Sequence, residues 1–368
     1  MFTSQNNSKY HNYFMELALN QAKKNLGNTK TNPSVGCVIV KKNNLISAGC
    51  TSSNGRPHAE HNAINFSKTN IKNSDIYITL EPCTHFGLTS PCTSKIIKNK
   101  INKVYYSIND PDSRTNNKSK KILNKKGIFV KNGILRNNTN NFYRSYIKYK
   151  RKSLPFVTSK LAMSKDFYTI KKDQNGWITN KYSRGRVHMM RSNHDCIITS
   201  SKTVIEDNPL FTCRIKGLEK TSPARIILDK DLRIPLKSKI FTKGKNYQTI
   251  IFYNKENKKK IKLLRKLKIK TFYAPLSSHD KLNLIYILIK VKKLGFSRIF
   301  LESGITLIMD FLNKNLIDDF VLFISSKKLK KNGKGSITPI LNNFIKNKNK
   351  LVNEINLLGD KLITYKLK

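Results

Sequence analysis

Two short motifs constrain the fold of this chain more than any other feature of its sequence. PHAEHNA contains His58, and EPCTHFGLTSPC contains Cys83 and Cys92. Taken alone, the two thiols could be packing residues, a disulfide, a redox couple or half of a metal site. His58 completes a set of one imidazole and two thiolates, which suits zinc and leaves a fourth tetrahedral position for water. A fold that uses this set must bring the two motifs together.

Glu60 lies two residues after His58, close enough for its carboxylate to point at the same site. Zinc can lower the pKa of water to about 7, and a carboxylate that does not bind the metal can pass the water's proton to a leaving nitrogen. His-x-Glu followed by Pro-Cys and a second Cys is the signature of the zinc deaminases of nucleobases. The motifs therefore predict Glu60 as the catalytic acid–base, with His58, Cys83 and Cys92 as zinc ligands.

Length and composition favour a cytoplasmic protein of two domains. A chain of 368 residues can bury two cores. We expect no membrane span, because no apolar run approaches roughly 18 residues, and the first residues lack the apolar core of a signal peptide. Six cysteines spread over this length do not resemble a secreted disulfide framework. Those outside the motif are interpreted as packing residues: Cys37, Cys50, Cys196 and Cys213.

The charge is strongly positive, since 71 basic minus 22 acidic residues gives +49. Such a balance suggests a nucleic-acid partner. Lysine is scattered along the whole chain with asparagine and isoleucine, however, and no single arm or stripe is basic. This pattern is typical of a drift toward AT-rich codons, so we favour a composition effect over a nucleic-acid surface.

Strands and helices alternate in the first 150 residues, which predicts an α/β layered sheet. A helix is expected over HNYFMELALNQAKKN, and a hairpin over TNPSVGCVIVKKNNLISAG with the two asparagines at its turn. HAEHNAINFSK suits a helix that begins beside His58, and DIYITLEPC suits a buried strand that ends at the thiols. VYYSIND predicts a further buried strand.

Apolar patterning lapses into charges and a proline near residues 145–155, where we place the boundary between domains 1–150 and 151–368. The pattern then restarts with buried-looking strands such as PFVTSKLAMS, ARIILD and SRIFLESG, with helical stretches between several of them. This predicts a second α/β domain. The segment 255–270 is expected to be a lysine-faced helix with Ile261, Leu264 and Leu267 turned inward.

The chain resembles the bifunctional riboflavin-biosynthesis enzymes, which deaminate a diaminopyrimidine ribosyl phosphate and then reduce its ribose. Eight residues between the thiols, in the wording EPCTHFGLTSPC, and the stretch TNPSVGCVIV carry the resemblance to the deaminase half. It implies a cytidine-deaminase-like α/β/α zinc domain, in which Asn32 hydrogen-bonds the pyrimidine edge and His85 shapes the pocket. From the residues alone, Asn32 could equally be a turn residue ahead of Pro33.

Three positions depart from that family's pattern. Phe86 and Leu88 stand where the family usually carries a second histidine and a basic residue that meets the substrate phosphate. Losing that cation removes a charge-assisted contact, for which Arg56 or Lys95 could compensate. In the second half, Phe167 stands where glycine is usual, so a turn that needs positive φ is expected to be reshaped.

Residues from about 153 onward resemble the reductase half, whose fold is that of dihydrofolate reductase. KLAMSKD, GWIT, SSKTVIEDNPLFTCR and LESGITL carry this resemblance. It implies an NADPH site lined by Ala162, Trp177, Thr203, Asp207, Ser303, Gly304, Ile305 and Thr306. It also implies a substrate site lined by Asn175, Arg191, Phe211, Arg214 and Glu302. Gly304 follows a strand and opens a helix, where backbone N–H groups can hold a phosphate, and Arg191 and Arg214 could form a fork around a ribose phosphate. From the residues alone, Asp207, in the polar TVIEDNP loop, could equally be an N-cap or a turn former.

The function that these features predict is a two-step enzyme with Zn²⁺ and NADPH as cofactors and a phosphorylated pyrimidine as substrate. The resemblance also implies a homodimer. One alternative is a tRNA or other nucleic-acid deaminase, suggested by the charge and the shared His-x-Glu motif. The other is a zinc-stabilised binding protein whose reductase half has decayed. An intact Glu60 disfavours the second alternative, because a structural zinc site has no need of it.

Overall fold

The computed structural model describes residues 4–173, 176–277, 280–337 and 350–368. The chain divides into two compact units, Met1–Ser153 and Leu154–Lys368. We call them the N-terminal and C-terminal units. In the described part of the chain, no helix is both long enough and apolar enough to cross a bilayer.

The N-terminal unit is built around one sheet. Its described elements are α1 (Ser4–Lys23), β1 (Gly36–Lys41), β2 (Asn44–Cys50), α2 (Ala59–Phe66), β3 (Asp75–Leu80), α3 (Cys92–Lys98), β4 (Lys103–Ile108), α4 (Ser119–Asn124), β5 (Phe129–Asn132) and α5 (Arg136–Arg151). The strand order is β2-β1-β3-β4-β5. β1 runs antiparallel to both β2 and β3, whereas β3, β4 and β5 are parallel. Parallel strands place their carboxyl ends at one edge of the sheet, and β3 leads there to the thiols.

Both faces of this sheet are buried, as an α/β/α arrangement requires. Tyr77 on β3 points into a cluster with Phe14 and Met15 of α1. Its neighbours Ile76 and Ile78 point into a second cluster, which contains side chains of α2 to α5. Because successive residues of a strand face opposite sides, a strand covered on both faces is apolar throughout. This confirms the layered α/β expectation.

The β1–β2 hairpin forms as predicted, but its turn is one residue earlier than expected. Lys41 pairs with Asn44, so the turn residues are Lys42 and Asn43, with φ of 49° and 66°. A two-residue turn with positive φ at both positions matches the right-handed twist of the flanking strands. The second asparagine therefore belongs to β2.

The helix α5 was not expected from the sequence. It covers much of the stretch in which apolar patterning lapses, and it buries Tyr143 and Tyr146 instead of aliphatic residues. The Tyr143 hydroxyl lies 2.6 Å from Thr79 Oγ1 and donates to the Ser34 carbonyl at 3.0 Å. A tyrosine can be buried in this way because its hydroxyl is satisfied, and a search for aliphatic periodicity does not detect such a helix.

Gly49 fixes the position of α2 on the sheet. A Cβ atom at Gly49 would lie 2.4 Å from the Ala63 backbone nitrogen and 2.5 Å from the Ala59 carbonyl oxygen. The helix backbone therefore packs directly against β2 at this glycine. Because α2 begins beside His58, this contact places the first of the predicted metal ligands.

The C-terminal unit contains a second, larger sheet. Its described strands are β6 (Phe156–Met163), β7 (Tyr168–Lys171), β8 (Cys196–Ser200), β9 (Ala224–Leu228), β10 (Thr249–Tyr253), β11 (Lys270–Tyr273), β12 (Arg298–Glu302), β13 (Asp319–Ile324), β14 (Gly333–Ser336), β15 (Lys350–Leu357) and β16 (Asp360–Lys366). The described helices are α6 (Lys181–Ser192), α7 (Ser201–Asp207), α8 (Lys239–Thr242), α9 (Lys258–Lys266), α10 (Leu284–Lys293) and α11 (Ile305–Asn313).

The large sheet has the order β11-β10-β9-β8-β12-β6-β13-β16-β15, and β7 pairs separately with β14. Strands from β11 to β13 are parallel, and β16 and β15 continue the sheet in antiparallel pairing. One hydrophobic cluster contains Ile226 and Leu301, and another contains their strand neighbours Ile227 and Phe300. The sheet is thus covered on both faces, and the second α/β domain is confirmed.

Three local expectations in this unit are corrected by the structure. Thr203 and Asp207 lie on α7 instead of in a polar loop, because the Ser200 hydroxyl caps this helix by accepting from the Thr203 backbone N–H at 3.3 Å. Ile261 and Leu264 of α9 are buried, but Leu267 follows the helix and is 40% exposed. Phe167 keeps the turn that glycine would favour, since it adopts φ of 66° itself. Its N–H donates to the Ser164 carbonyl at 3.0 Å.

Candidate functional site

The imidazole and the two thiols of the sequence motifs meet at one edge of the N-terminal sheet. His58 is the N-cap of α2, Cys83 follows the end of β3, and Cys92 is the first residue of α3. His58 Nδ1 lies 3.3 Å from Cys92 Sγ and 3.6 Å from Cys83 Sγ. The three ligand atoms lie within 4.8 Å of one another. One nitrogen and two sulfurs at these separations fit a tetrahedral zinc ion that keeps one position open.

The two thiols differ in their ease of ionisation. The hydrogen bond from Cys92 lowers the pKa of Cys83 to about 4, whereas burial raises the pKa of Cys92. The Cys92 backbone N–H also donates to Cys83 Sγ at 3.3 Å. The lowered pKa of Cys83 favours the thiolate, which is the form in which cysteine binds metals.

Glu60 lies in the first turn of α2, where it is 3% exposed. Burial raises its pKa to about 7, although the nearby His58 opposes that shift. The Glu60 carboxylate lines the same cavity as His58 and Cys83. A buried carboxyl group beside three metal-binding atoms, and not itself one of them, is placed to exchange protons with a molecule in this cavity.

The cavity has a volume of about 220 Å³, and both Asn32 and His85 are on its wall. Asn32 Nδ2 donates to the Gly55 carbonyl at 2.9 Å, which orients the amide and leaves its Oδ1 for a donor on a ligand. His85 Nδ1 lies 3.2 Å from Thr115 Oγ1. Leu88, by contrast, is 89% exposed. The sequence motifs are thus brought together with the two residues that the resemblance assigned to substrate.

A second part of the cavity wall was missed by sequence reasoning. It contains Asp110 and Asp112 from the loop after β4, together with Tyr146 of α5. The Tyr146 hydroxyl donates to Asp110 Oδ1 at 2.9 Å. A signal for these residues did exist: β4 is parallel to β3, and residues that follow adjacent parallel strands meet at the same sheet edge.

Glu81 holds this second wall in place. Its carboxylate accepts hydrogen bonds from the backbone N–H groups of Asp110, Asn117 and Ser119, at 3.2, 3.0 and 3.1 Å, and from the Ser119 hydroxyl at 2.9 Å. Glu81 is 3% exposed, so each of these bonds satisfies a buried donor or acceptor. The glutamate ahead of Pro-Cys is therefore a structural anchor for the loop that completes the cavity.

In the C-terminal unit, five of the proposed NADPH residues (Thr203, Ser303, Gly304, Ile305 and Thr306) follow the carboxyl ends of two adjacent parallel strands, β8 and β12. Thr203 Oγ1 lies 3.2 Å from Ser303 Oγ and accepts from the Gly304 N–H at 3.4 Å. Gly304 is the N-cap of α11, whose first turn contains Ile305 and Thr306. An exposed helix start of this kind favours anionic groups such as phosphates.

Glu302, the last residue of β12, is paired with two cations. Arg191 of α6 donates to both of its carboxylate oxygens at 2.9 Å, and Lys160 of β6 lies 3.5 Å from Oε1. Burial raises the pKa of Glu302, but the charges of Arg191 and Lys160 outweigh burial and lower it to about 2. Lys160 was not singled out by sequence reasoning, because a lysine in a strand usually faces solvent.

The remaining proposed residues differ in how closely they join this group. Phe211 packs under Arg191, whose guanidinium lies 5.7 Å from its ring centre. Arg214 is exposed, and its Nη2 lies 3.4 Å from His188 Nε2. Because Arg191 is committed to Glu302, Arg214 is the solvent-facing member of the predicted fork. Four other residues are placed as follows: Ala162 on β6, Asp207 at the end of α7, Trp177 68% exposed beside Arg184, and Asn175 outside the described residues.

Comparison with known proteins matches each unit to a protein family of its own. Residues 8–108 match the cytidine and deoxycytidylate deaminase zinc-binding region. Residues 155–353 match the RibD C-terminal domain. The first match covers all three predicted metal ligands and Glu60, and it supports zinc as the metal of this site.

Several relatives are similar over both units. The riboflavin biosynthesis protein RibD of Aquifex aeolicus is 35% identical over 320 residues, which is 85% of this chain and 86% of the relative. The RibD protein of Bacillus amyloliquefaciens is 32% identical, with coverage of 85% and 84%.

Solved structures of similar proteins have the same fold as this chain over almost its whole length. Acinetobacter baumannii RibD superposes with a TM-score of 0.84 at 27% identity, covering 98% of this chain and 99% of the other. A Thermotoga maritima diaminohydroxyphosphoribosylaminopyrimidine deaminase/5-amino-6-(5-phosphoribosylamino)uracil reductase has a TM-score of 0.83 at 28% identity, covering 98% and 100%. The architecture of two α/β domains, one deaminase-like and one of the RibD reductase type, is therefore confirmed. This chain belongs to the RibD family of bifunctional riboflavin-biosynthesis enzymes.

Proposed function

We propose that this chain catalyses two successive steps of riboflavin biosynthesis. The N-terminal unit hydrolyses 2,5-diamino-6-(5-phosphoribosylamino)pyrimidin-4(3H)-one to 5-amino-6-(5-phosphoribosylamino)uracil and releases ammonia. The C-terminal unit then uses NADPH to reduce the ribosyl group to a ribityl group. The observation that carries the first step is the convergence of His58, Cys83 and Cys92, with ligand atoms within 4.8 Å of one another, beside the buried Glu60.

In the deaminase half, His58, Cys83 and Cys92 would hold zinc. When bound, this ion supplies Lewis-acid activation of water at neutral pH. The Asn32 amide and His85 hold the pyrimidine ring against the cavity wall. Glu60 takes one proton from water as its oxygen adds to C2 and passes it to the adjacent ring nitrogen. Glu60 then moves the remaining hydroxyl proton to the exocyclic nitrogen, which leaves as ammonia when the C–N bond breaks and the C2 carbonyl forms. The cavity wall anchored by Glu81 keeps the ring from moving during these transfers.

In the reductase half, the protein's task is positioning. The start of α11, with Ser303 and Gly304, would hold the cofactor phosphates, and Arg214 would meet the ribose phosphate of the substrate. NADPH supplies the hydride that adds to C1 of the opened ribose. The Arg191–Glu302 pair keeps the substrate side of the site fixed, because neither group can turn away without leaving the other charge buried and unpaired.

A single coupled assay tests both steps. Purified protein is incubated with the diaminopyrimidine substrate and NADPH, and ammonia release and NADPH oxidation are followed together. Glu60→Gln should abolish ammonia release while zinc content stays at one ion per chain. NADPH oxidation should persist in this variant when the deaminated substrate is supplied. Glu16→Gln, an exposed change on α1, is the control.

Two results would contradict the proposal. If the Glu60→Gln variant still released ammonia, Glu60 could not be the catalytic acid–base. Zinc binding without turnover in either half would support a binding protein instead. The nucleic-acid deaminase is not favoured, because the similarity to the RibD relatives extends through both units. Three statements stay predictions from the sequence: that the chain has no nucleic-acid partner, that it forms a homodimer, and that it is located in the cytoplasm.

A further inference from the structure

The deaminase cavity lacks a cation at the position where the sequence resemblance leads one to expect it. Leu88 is 89% exposed, does not line the cavity and offers no hydrogen-bond donor from its side chain. The substrate of the proposed function carries a ribosyl phosphate, a dianion that needs donors. A cavity of about 220 Å³ is smaller than most ligand pockets. We therefore expect the pyrimidine ring to fill it and the phosphate to lie at its mouth.

Three cations line this cavity: Arg56, Arg114 and Lys150. Two of them share one carboxylate. Arg114 donates to Asp112 from Nε at 2.9 Å and from Nη2 at 2.7 Å, and Lys150 Nζ donates to the same carboxylate at 2.9 Å. Asp112 thus occupies donors of both cations and offsets part of their charge. These contacts tie the loop after β4 to α5.

Arg56 is different. Its Nη1 donates to the Thr89 hydroxyl at 2.6 Å, and no carboxylate lies within ion-pair distance of it in the ranges that the structure describes. Its Nη2 lies 3.1 Å from the point that a Cβ on Gly87 would occupy. The guanidinium thus lies against the loop between the two thiols, beside the exposed Gly87, and both residues line the cavity. The hydrogen bond to Thr89 fixes its plane and leaves further N–H groups for an anion.

Lys95, the other candidate from the sequence, is occupied elsewhere. Its Nζ donates to Asn65 Oδ1 at 2.9 Å, and Lys95 does not line the cavity. Hence Arg56 is the lining cation whose charge no nearby carboxylate offsets. It also contacts the same loop that carries Leu88.

We propose that Arg56 binds the ribosyl phosphate in the deaminase half and so replaces the basic residue that this chain lacks at Leu88. The inference rests on the proposed function. It makes Arg56 a specificity-determining residue: its fork should favour the phosphorylated substrate over the same compound without phosphate.

The test measures ammonia release without NADPH, so that only the deaminase half reacts. The ratio of kcat/KM for the phosphorylated substrate to kcat/KM for its dephosphorylated form is determined for each variant. Arg56→Gln should lower this ratio about 10- to 100-fold, the range expected for one charge-assisted contact. Arg56→Lys should give an intermediate ratio, because it keeps the charge but loses the fork. Zinc per chain, measured alongside, shows whether each variant retains the metal centre.

Two further variants make the result decisive. Leu88→Lys in the Arg56→Gln background should raise the ratio toward the wild-type value, because it returns a cation to the same loop. Lys95→Gln is the matched control and should leave the ratio unchanged. An unchanged ratio in Arg56→Gln, or a loss that appears only in Lys150→Gln, would overturn the inference. Failure of the wild-type protein to release ammonia from either compound would instead overturn the proposed function, and this inference with it.

Discussion

Arg191 and Glu302 form a two-pronged ion pair in the C-terminal unit, with Nε donating to Oε2 and Nη2 donating to Oε1, each at 2.9 Å. The side chains are only 11% and 10% exposed. Two charges this deeply buried depend on each other, because either one alone would lose its hydration without gaining a partner.

The first prediction concerns the pH dependence of this pair. The folded-state pKa of Glu302 is about 2, below the ordinary 4.5. The ionised Glu302 therefore stabilises the folded state fully above pH 4.5, and this contribution is lost as the pH falls toward 2. Glu302→Gln should lower the free energy of unfolding by about 3 kcal/mol at pH 6. The difference from wild type should shrink as the pH approaches 3. Urea denaturation followed by circular dichroism measures this.

The control is a surface pair. Glu354 and Lys361 lie 2.9 Å apart, but their side chains are 44% and 61% exposed. Glu354→Gln should therefore cost less than about 0.5 kcal/mol at any pH in this range. A Glu302→Gln effect that does not depend on pH would contradict the assignment of the stabilisation to the charge pair.

The second prediction tests the start of α11 as the cofactor phosphate site. Thr306 is exposed in the first turn of this helix, so Thr306→Glu places a negative charge where the phosphates of NADPH should lie. KM for NADPH should rise by about 10-fold, and less at high salt, because the added charge repels the phosphates. Thr306→Gln has similar size without the charge and should leave KM near the wild-type value. Equal effects of both changes would argue against phosphate binding there.

The third prediction separates the zinc ligands from the other cysteines. Cys92→Ser should reduce zinc to well below one ion per chain and abolish ammonia release, because two protein ligands hold zinc far less tightly than three. Cys50→Ser is the comparison: its sulfur accepts a hydrogen bond from Asn25 and lies outside the ligand set. It should retain both zinc and activity. Elemental analysis of dialysed protein decides between these outcomes.

The fourth prediction concerns Gly49, on which α2 packs. Gly49→Ala would place a methyl group 2.4 Å from the Ala63 nitrogen, so α2 must shift and His58 with it. We expect a loss of about 1–3 kcal/mol in stability and weaker zinc binding. Gly185→Ala, on α6 with no heavy atom within 4 Å of the new methyl, should instead stabilise the protein by up to about 1 kcal/mol. Chemical denaturation and zinc titration test the pair. Unaltered zinc affinity in Gly49→Ala would show that the helix can move without its metal ligand.

Much of the fold could be predicted because its strands are apolar throughout. Runs such as DIYITL and ARIIL become β3 and β9, where both faces are covered and every position is buried or nearly so. The helix α5 escaped prediction for the opposite reason: its buried residues are tyrosines, threonine and serine, whose burial depends on hydrogen-bond partners elsewhere in the chain. Local propensity carries no information about those partners.

The sequence by itself indicated the metal chemistry, because the roles proposed for His58, Glu60, Cys83 and Cys92 follow from side-chain type and from spacing within two short segments. Only the tertiary structure decided which residues complete the cavity. It also decided which of the cations that line the cavity have their charge offset by a carboxylate and which one does not. Asp112 meets both Arg114 and Lys150, whereas Arg56 meets the Thr89 hydroxyl. The physical reason is that charge interactions depend on distance through space, and loops and helices far apart in the chain are brought within hydrogen-bond reach only by the order of strands in the sheet.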